Sequence, residues 1–251
     1  MLTAADDSLR TQWRYKAITR SNLERTAQWQ RIPPDLRHAI DVVSTVLPFR
    51  TNEYVMRELI DWERVPEDPM YQLTFVQQDM LSAADFSTME RLLAGNASKE
   101  AIKGAANEIR GRLNPHPAGQ MTHNVPMLGG RRLEGMQHKY RETLLFFPSQ
   151  GQTCHAYCTF CFRWAQFVGQ DDLKFQAQET DDLVAYLDAH QEVSDLLIMG
   201  GDPLIMRTRA LRSYVDPILR SGLDHLQNIR IGTKSVAYWP QRFVTDPDAD
   251  D

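Results

Sequence analysis

The run Asp195-Leu-Leu-Ile-Met-Gly-Gly-Asp-Pro-Leu204 reads as a short buried strand that stops in a tight turn. Four apolar side chains in succession suit a strand covered on both faces, and Gly-Gly followed by Asp-Pro ends it. Upstream, Thr180-Asp-Asp-Leu-Val-Ala-Tyr-Leu-Asp-Ala-His190 has helical spacing, with Thr180 as a cap. Further upstream, Thr143-Leu-Leu-Phe-Phe147 is a second buried strand. Strand, helix and strand at these lengths imply a right-handed parallel crossover. Residues 228–233 supply a third strand of the same kind. The loops after the strands then share the C-terminal edge of the sheet, where α/β proteins bind ligands.

One of those loops holds every cysteine of the chain: Cys154-His-Ala-Tyr-Cys158-Thr-Phe-Cys161. Three thiolates at C-x3-C-x2-C spacing can hold three irons of a [4Fe–4S] cube. A cluster used only for electron transfer normally has four cysteines, so the fourth iron stays open to a small molecule. Two other readings stand beside this one. A structural zinc usually takes four ligands, often as two separated pairs; His155 adjoins Cys154 and would bind awkwardly, and no second C-x2-C pair exists. The cysteines could also be inert and buried. A disulfide between residues so close is a poor staple.

The cysteine triplet, with Phe160 before its last member, and the Gly200-Gly201-Asp202-Pro203 turn together resemble the radical S-adenosylmethionine (SAM) superfamily. Gly-Gly-Asp-Pro-Leu204, Ile229-Arg-Ile-Gly-Thr-Lys234, Pro240-Gln-Arg242 and His138-Lys-Tyr140 resemble its lysine 2,3-aminomutase branch. So do Leu59-Ile-Asp-Trp62 and Pro66-Glu-Asp-Pro69, so that the likeness runs over about residues 50–242. The resemblance implies that the open iron chelates SAM and cleaves it to a radical that starts 1,2-amino migration on an amino acid. It implies Cys154, Cys158 and Cys161 as cluster ligands, and Gly200, Gly201 and Asp202 as a SAM-binding turn. Gly suits such a turn because a side chain would block close backbone approach.

The same resemblance places Phe160 near the adenine, although a place in the core fits it as well. Arg163 would clamp the substrate carboxylate, for which a planar fork is suited, against the alternative of a surface arginine. Tyr140 would stack on pyridoxal phosphate (PLP). PLP is the open question: Thr143 stands where the branch has an arginine, and the imine-forming lysine is not among the residues of this chain. His138 and His155 read as hydrogen-bonding residues. The implied electron donor is a flavodoxin or ferredoxin type, and a homo-oligomer is possible. A sister reading keeps the radical SAM front half with another substrate and no PLP. A non-catalytic iron–sulfur or zinc protein, or a truncated product, is the other class.

The chain has 251 residues and a formal charge of −5. No basic field for nucleic acid is expected. Without a long apolar run, a membrane partner is not expected either. An exposed iron–sulfur site needs reduced thiols, which suggests the cytoplasm.

The organisation expected is α/β: a helical N-terminal region over 1–113, a connecting segment over 114–137, and the first half of a radical SAM partial barrel over 138–251. Leu36, Ile40, Val43 and Leu47 mark one helix, and Asn52 caps a second helix with Val55, Leu59 and Trp62. Ser82 and Ser98 begin two more. Residues 246–251 form an acidic end. About three βα units are present where barrels of this type use about six, which suggests a fragment or a half supplied by another chain.

Overall fold

Pro33-Pro34 starts the first long helix because proline at the first helical position loses no hydrogen bond. The computed structural model of the chain describes residues 13–116, 119–177 and 180–251, so the first twelve residues of the expected N-terminal region lie outside them. Two compact units form. One comprises Tyr15–Pro115 and His155–Gln170; the other comprises Trp13 and Arg14 with His116–Cys154 and Asp171–Asp251.

The first unit is helical. A short ribbon pairs β1 (Ala17–Ile18) with β2 (Thr51–Asn52). Its helices are α1 (Pro34–Val43), α2 (Pro69–Thr74), α3 (Ala83–Ala94) and α4 (Lys99–Arg112). The expected caps operate: Ser82 accepts from the Asp85 amide, and Ser98 from the Ala101 amide. Asp68 caps α2 through the Tyr71 amide, with Pro69 at its first position. Asn52 accepts from the Val55 amide at 3.0 Å, but the segment it starts is one π-helical turn, Val55–Leu59. Trp62 lies beyond that turn and donates its indole N–H to the Met56 carbonyl at 2.7 Å. Arg110 bonds the Val46 carbonyl at 2.6 Å and the Thr45 carbonyl at 3.0 Å, tying α4 to the chain after α1.

The second unit is built on a sheet. A hairpin joins β3 (Met127–Leu128) and β4 (Arg131–Arg132) through Gly129-Gly130. The main sheet has the order β5 (Met136–Tyr140), β6 (Thr143–Phe146), β7 (Asp195–Ile198), β8 (Asn228–Ile231). The three expected strands are present and parallel, in register from Thr143↔Asp195 to Phe146↔Ile198 and from Asp195↔Asn228 to Ile198↔Ile231. The sheet is nevertheless mixed. Arg141-Glu142 turns the chain so that β5 runs antiparallel to β6, with Tyr140 opposite Thr143. No closed barrel forms among the described residues, and β8 ends the order.

Helix α5 (Thr180–Ala189) forms the β6–β7 crossover, and α6 (Thr208–Arg220) the β7–β8 crossover. Their apolar sides pack on one face of the sheet, with Leu183, Leu187, Tyr214 and Ile218 against Leu144, Phe146, Leu196 and Ile198. His138 donates its Nε2–H to the Arg141 carbonyl at 3.0 Å, which leaves Nδ1 to accept from the Tyr186 hydroxyl at 2.7 Å. It is a hydrogen-bonding residue, as expected. Segment 114–137 is more than a connection, since it contains β3, β4 and the start of β5.

After β8 the chain makes a short helix, α7 (Ser235–Tyr238), and folds back. Trp239 is fully buried and donates to Asp246 at 3.0 Å. Asp248 takes the Thr208 amide at 2.6 Å and so caps α6, whose own N-cap residue, Arg207, supplies no side-chain bond. The acidic end is therefore a clamp and not a solvated tail. Partial burial pushes the Asp248 carboxyl up, but the Thr208 amide and the Arg242 guanidinium outweigh it and hold the group below its usual range. A carboxyl with a depressed folded pKa contributes stability above its unfolded pKa and loses it as pH falls through the folded one. Asp248→Ala is expected to cost about 1–2 kcal/mol at pH 7, a typical cap loss, with the deficit shrinking in acid. Urea unfolding midpoints of parent and variant at pH 7 and pH 3 check this; an equal deficit at both would count against it.

Candidate active site: the cysteine loop and the glycine turn

The glycine turn follows β7 directly. Its neighbour is the segment after β6, Ser149–Thr153, which leads to Cys154. A Cβ on Gly200 would stand 2.4 Å from the Gly151 carbonyl oxygen. A Cβ on Gly201 would stand 2.4 Å from the Thr153 carbonyl oxygen and 2.7 Å from its nitrogen. Both glycines are thus required by the protein's own backbone, before any ligand is considered. The sequence argument expected close approach to SAM, and the close neighbours here are the backbones of Gly151 and Thr153. Asp202, 3% exposed, donates its amide to Thr153 at 2.7 Å and to Gly151 at 3.2 Å.

Cys158 and Cys161 sit in the helical unit. The loop there is fastened at alternate residues. The His155 carbonyl accepts from the Tyr15 hydroxyl and from Asn52 Nδ2, both at 3.1 Å. The Tyr157 amide donates to the Arg50 carbonyl at 2.8 Å, and the Thr159 amide to the Leu73 carbonyl at 2.9 Å. Cys158 falls between the last two anchors. A tight turn then closes C-x2-C, with the Cys161 amide donating to the Cys158 carbonyl at 3.1 Å. All three cysteines are partly exposed, which removes the inert buried reading. Tyr15, Arg50 and Leu73 were missed as anchors because they contribute through ribbon, stem and helix-end positions that no local motif marks.

A cavity of about 310 Å³ opens beside this turn, lined by Cys158, Cys161, Leu47, Met80, Leu113 and Trp164 among others. Phe160 also lines it and is 69% exposed, so it is not core filler. Arg163 is only 4% exposed, so the surface-arginine alternative falls. His155 is buried, with its ring edge-on to Tyr15 at 5.1 Å. Tyr140 stands apart from the glycine turn. It pairs with Thr143 at the N-terminal end of β6, three residues and about 10 Å from the end that leads to the cysteines. Its ring is 62% exposed, with Lys139 Nζ 5.4 Å from the ring centre.

Among the described residues no three His, Cys, Asp or Glu side chains converge on one ion. Three thiolates are a donor set that suits an iron–sulfur cluster, whereas a structural zinc usually takes a fourth ligand.

A protein of Aquifex aeolicus (strain VF5) that carries the L-lysine 2,3-aminomutase name provisionally is 27% identical over 218 residues, 87% of this chain and 47% of that protein. The L-lysine 2,3-aminomutase of Bacillus subtilis (strain 168) is 37% identical over 112 residues, 45% of this chain and 22% of its own. Over these stretches the chain is similar in sequence to the L-lysine 2,3-aminomutases. A third such aminomutase, from Acetoanaerobium sticklandii, is 30% identical over 118 residues, 47% of this chain and 27% of its own. No family model matches. The chain spans less than half the length of these aminomutases. No helix among the described residues is long and apolar enough to cross a membrane.

Proposed function

We propose that the chain is the front part of a radical SAM enzyme of the lysine 2,3-aminomutase type, acting on an amino acid. The observation that carries the reading is the C-x3-C-x2-C loop reached from one parallel strand, with the glycine turn on the next and its backbone packed against the loop's first residues. The three parallel strands are read as the opening units of a partial barrel.

Cys154, Cys158 and Cys161 would hold a [4Fe–4S] cluster, which supplies the electron that cleaves SAM when both are bound. The chain's own residues do the rest. Gly200 and Gly201 keep the segment before Cys154 pressed against β7. Phe160 offers an exposed aromatic face beside Cys161. Arg163 is a buried fork for a carboxylate, and its burial strengthens any such pair by excluding water.

PLP finds little support in the residues present. Tyr140 ends β5 opposite the far end of β6, and Thr143 offers no charge to a phosphate. That placement favours, as a second reading, a radical SAM enzyme with another substrate and no PLP.

Anaerobic reconstitution tests the proposal. About four irons and four sulfides per chain are expected, with charge-transfer absorbance near 390–420 nm. One tight zinc and no iron would overturn it. Imine absorbance on adding PLP would favour amino migration over the second reading.

A further inference from the structure

Asp202 was assigned to ligand on resemblance, and its carboxylate is held by several protein donors. One carboxylate oxygen accepts from the Leu204 amide at 2.9 Å and from the Thr233 hydroxyl at 2.7 Å. The other accepts from the Lys234 amide at 2.8 Å, with the Thr233 hydroxyl also at 3.0 Å. A carboxylate has about four lone-pair sites, and protein donors already fill most of them. The Asp202 amide is used as well, on Thr153 and Gly151. Thr233 is equally committed: its hydroxyl has one hydrogen, which goes to Asp202, and its oxygen accepts from the Ser235 amide at 2.9 Å.

Three loops therefore meet at one residue. The segment after β6 arrives through Thr153, the turn after β7 contains Asp202, and the loop after β8 arrives through Thr233 and Lys234. Thr153 is peptide-bonded to Cys154. We propose that Asp202 and Thr233 are a positioning pair that holds Cys154 in place by locking the β8 loop to the glycine turn and the glycine turn to the cysteine loop. The pair acts through backbone and touches no reacting atom. Charge-assisted and part-buried, these bonds are of the stronger kind, and losing one leaves the buried Asp202 carboxylate short of a donor. The identity of what Cys154 holds rests on the radical SAM reading; the position of Cys154 does not.

Cysteine alkylation of the metal-free chain, followed site by site by mass spectrometry, tests the pair. Thr233→Val keeps shape and removes the hydroxyl. It is expected to raise the Cys154 rate about tenfold, as loss of a charge-assisted bond implies, with Cys158 and Cys161 unchanged. Thr233→Ser restores the hydroxyl and is expected to return Cys154 to the parental rate. An unchanged Cys154 rate in Thr233→Val, or an equal rise at all three cysteines, would overturn the proposal. Should Thr233→Val fail to fold, amide exchange in the parent decides: the Asp202 and Lys234 amides are expected to exchange as slowly as those of β7, and exchange at loop rates would refute the lock. A chain that shows the Cys154 effect yet takes up no iron would end the radical SAM reading and leave the positioning pair intact.

Discussion

Gly201→Val is expected to take away the chain's capacity for iron, and not merely weaken SAM. Any side chain at 201 begins with a Cβ that stands 2.4 Å from the Thr153 carbonyl oxygen and 2.6 Å from its carbon. These neighbours are backbone, so no rotamer change relieves the clash. The glycine turn and the segment before Cys154 must separate, which also breaks the 2.7 Å bond from the Asp202 amide to Thr153. Overpacking of this kind costs roughly 1–3 kcal/mol or more, and the lost bond adds about 1 kcal/mol. The expected result is a lowered melting temperature together with substoichiometric iron after reconstitution. Parental iron content in a folded Gly201→Val protein would show that the turn does not support the loop. A loss of SAM binding alone would return the glycine to a ligand role.

Cys158→Ala is expected to abolish the cluster while leaving the fold nearly unchanged. Cys158 lies in a turn whose backbone bond, from the Cys161 amide, does not involve the side chain. The flanking anchors at Tyr157 and Thr159 are also backbone bonds, apart from the Thr159 hydroxyl on the Gln72 carbonyl at 2.9 Å. A partly exposed thiol replaced by a methyl leaves no sealed void, so stability should shift by less than about 1 kcal/mol. Iron should fall from about four per chain to near none, since two thiolates hold a cube poorly. Iron content and the melting curve, measured on one preparation, check both halves. Full iron in Cys158→Ala would remove the cysteine triplet from the site.

What could be read in the sequence was whatever repeats locally. Leu196 and Ile198 alternate with partners on Leu144 and Phe146, so the strands and their parallel order were legible from short apolar runs and crossover length. Ser82 and Ser98 announced their helices by the same logic. The misses have physical reasons. Leu128-Gly-Gly-Arg131 is a two-residue hairpin signal, but the strands it joins are two residues each and leave no alternation to detect. Antiparallel β5 was hidden because Met136–Tyr140 is mostly polar and depends on β6 to be a strand. Helix α6 went unread although Leu211, Tyr214, Val215 and Ile218 mark its buried side; Pro217 and several arginines interrupt its apolar pattern. The capping role of Asp248 was not legible because its partner, the Thr208 amide, is forty residues earlier. The cysteine triplet and the glycine turn stood out in the sequence because their residue types and spacing are unusual. Thr233 did not, because a threonine hydroxyl declares its role only when a carboxylate from another loop is brought to it.

The outermost strand, β8, carries a consequence for how the protein behaves at concentration. Its hydrogen-bonding groups on the side away from β7 point along the sheet plane, and Ile231 beside them is 37% exposed. Such an edge templates the addition of another strand, from whatever source is present. Arg230 is the one charge on the strand, and its guanidinium is engaged with Asp195, so little repulsion guards the edge. A strand added from another copy of the chain would dock on this edge by the same kind of ladder that joins β7 to β8. Association at concentration therefore turns on four residues, Asn228 to Ile231.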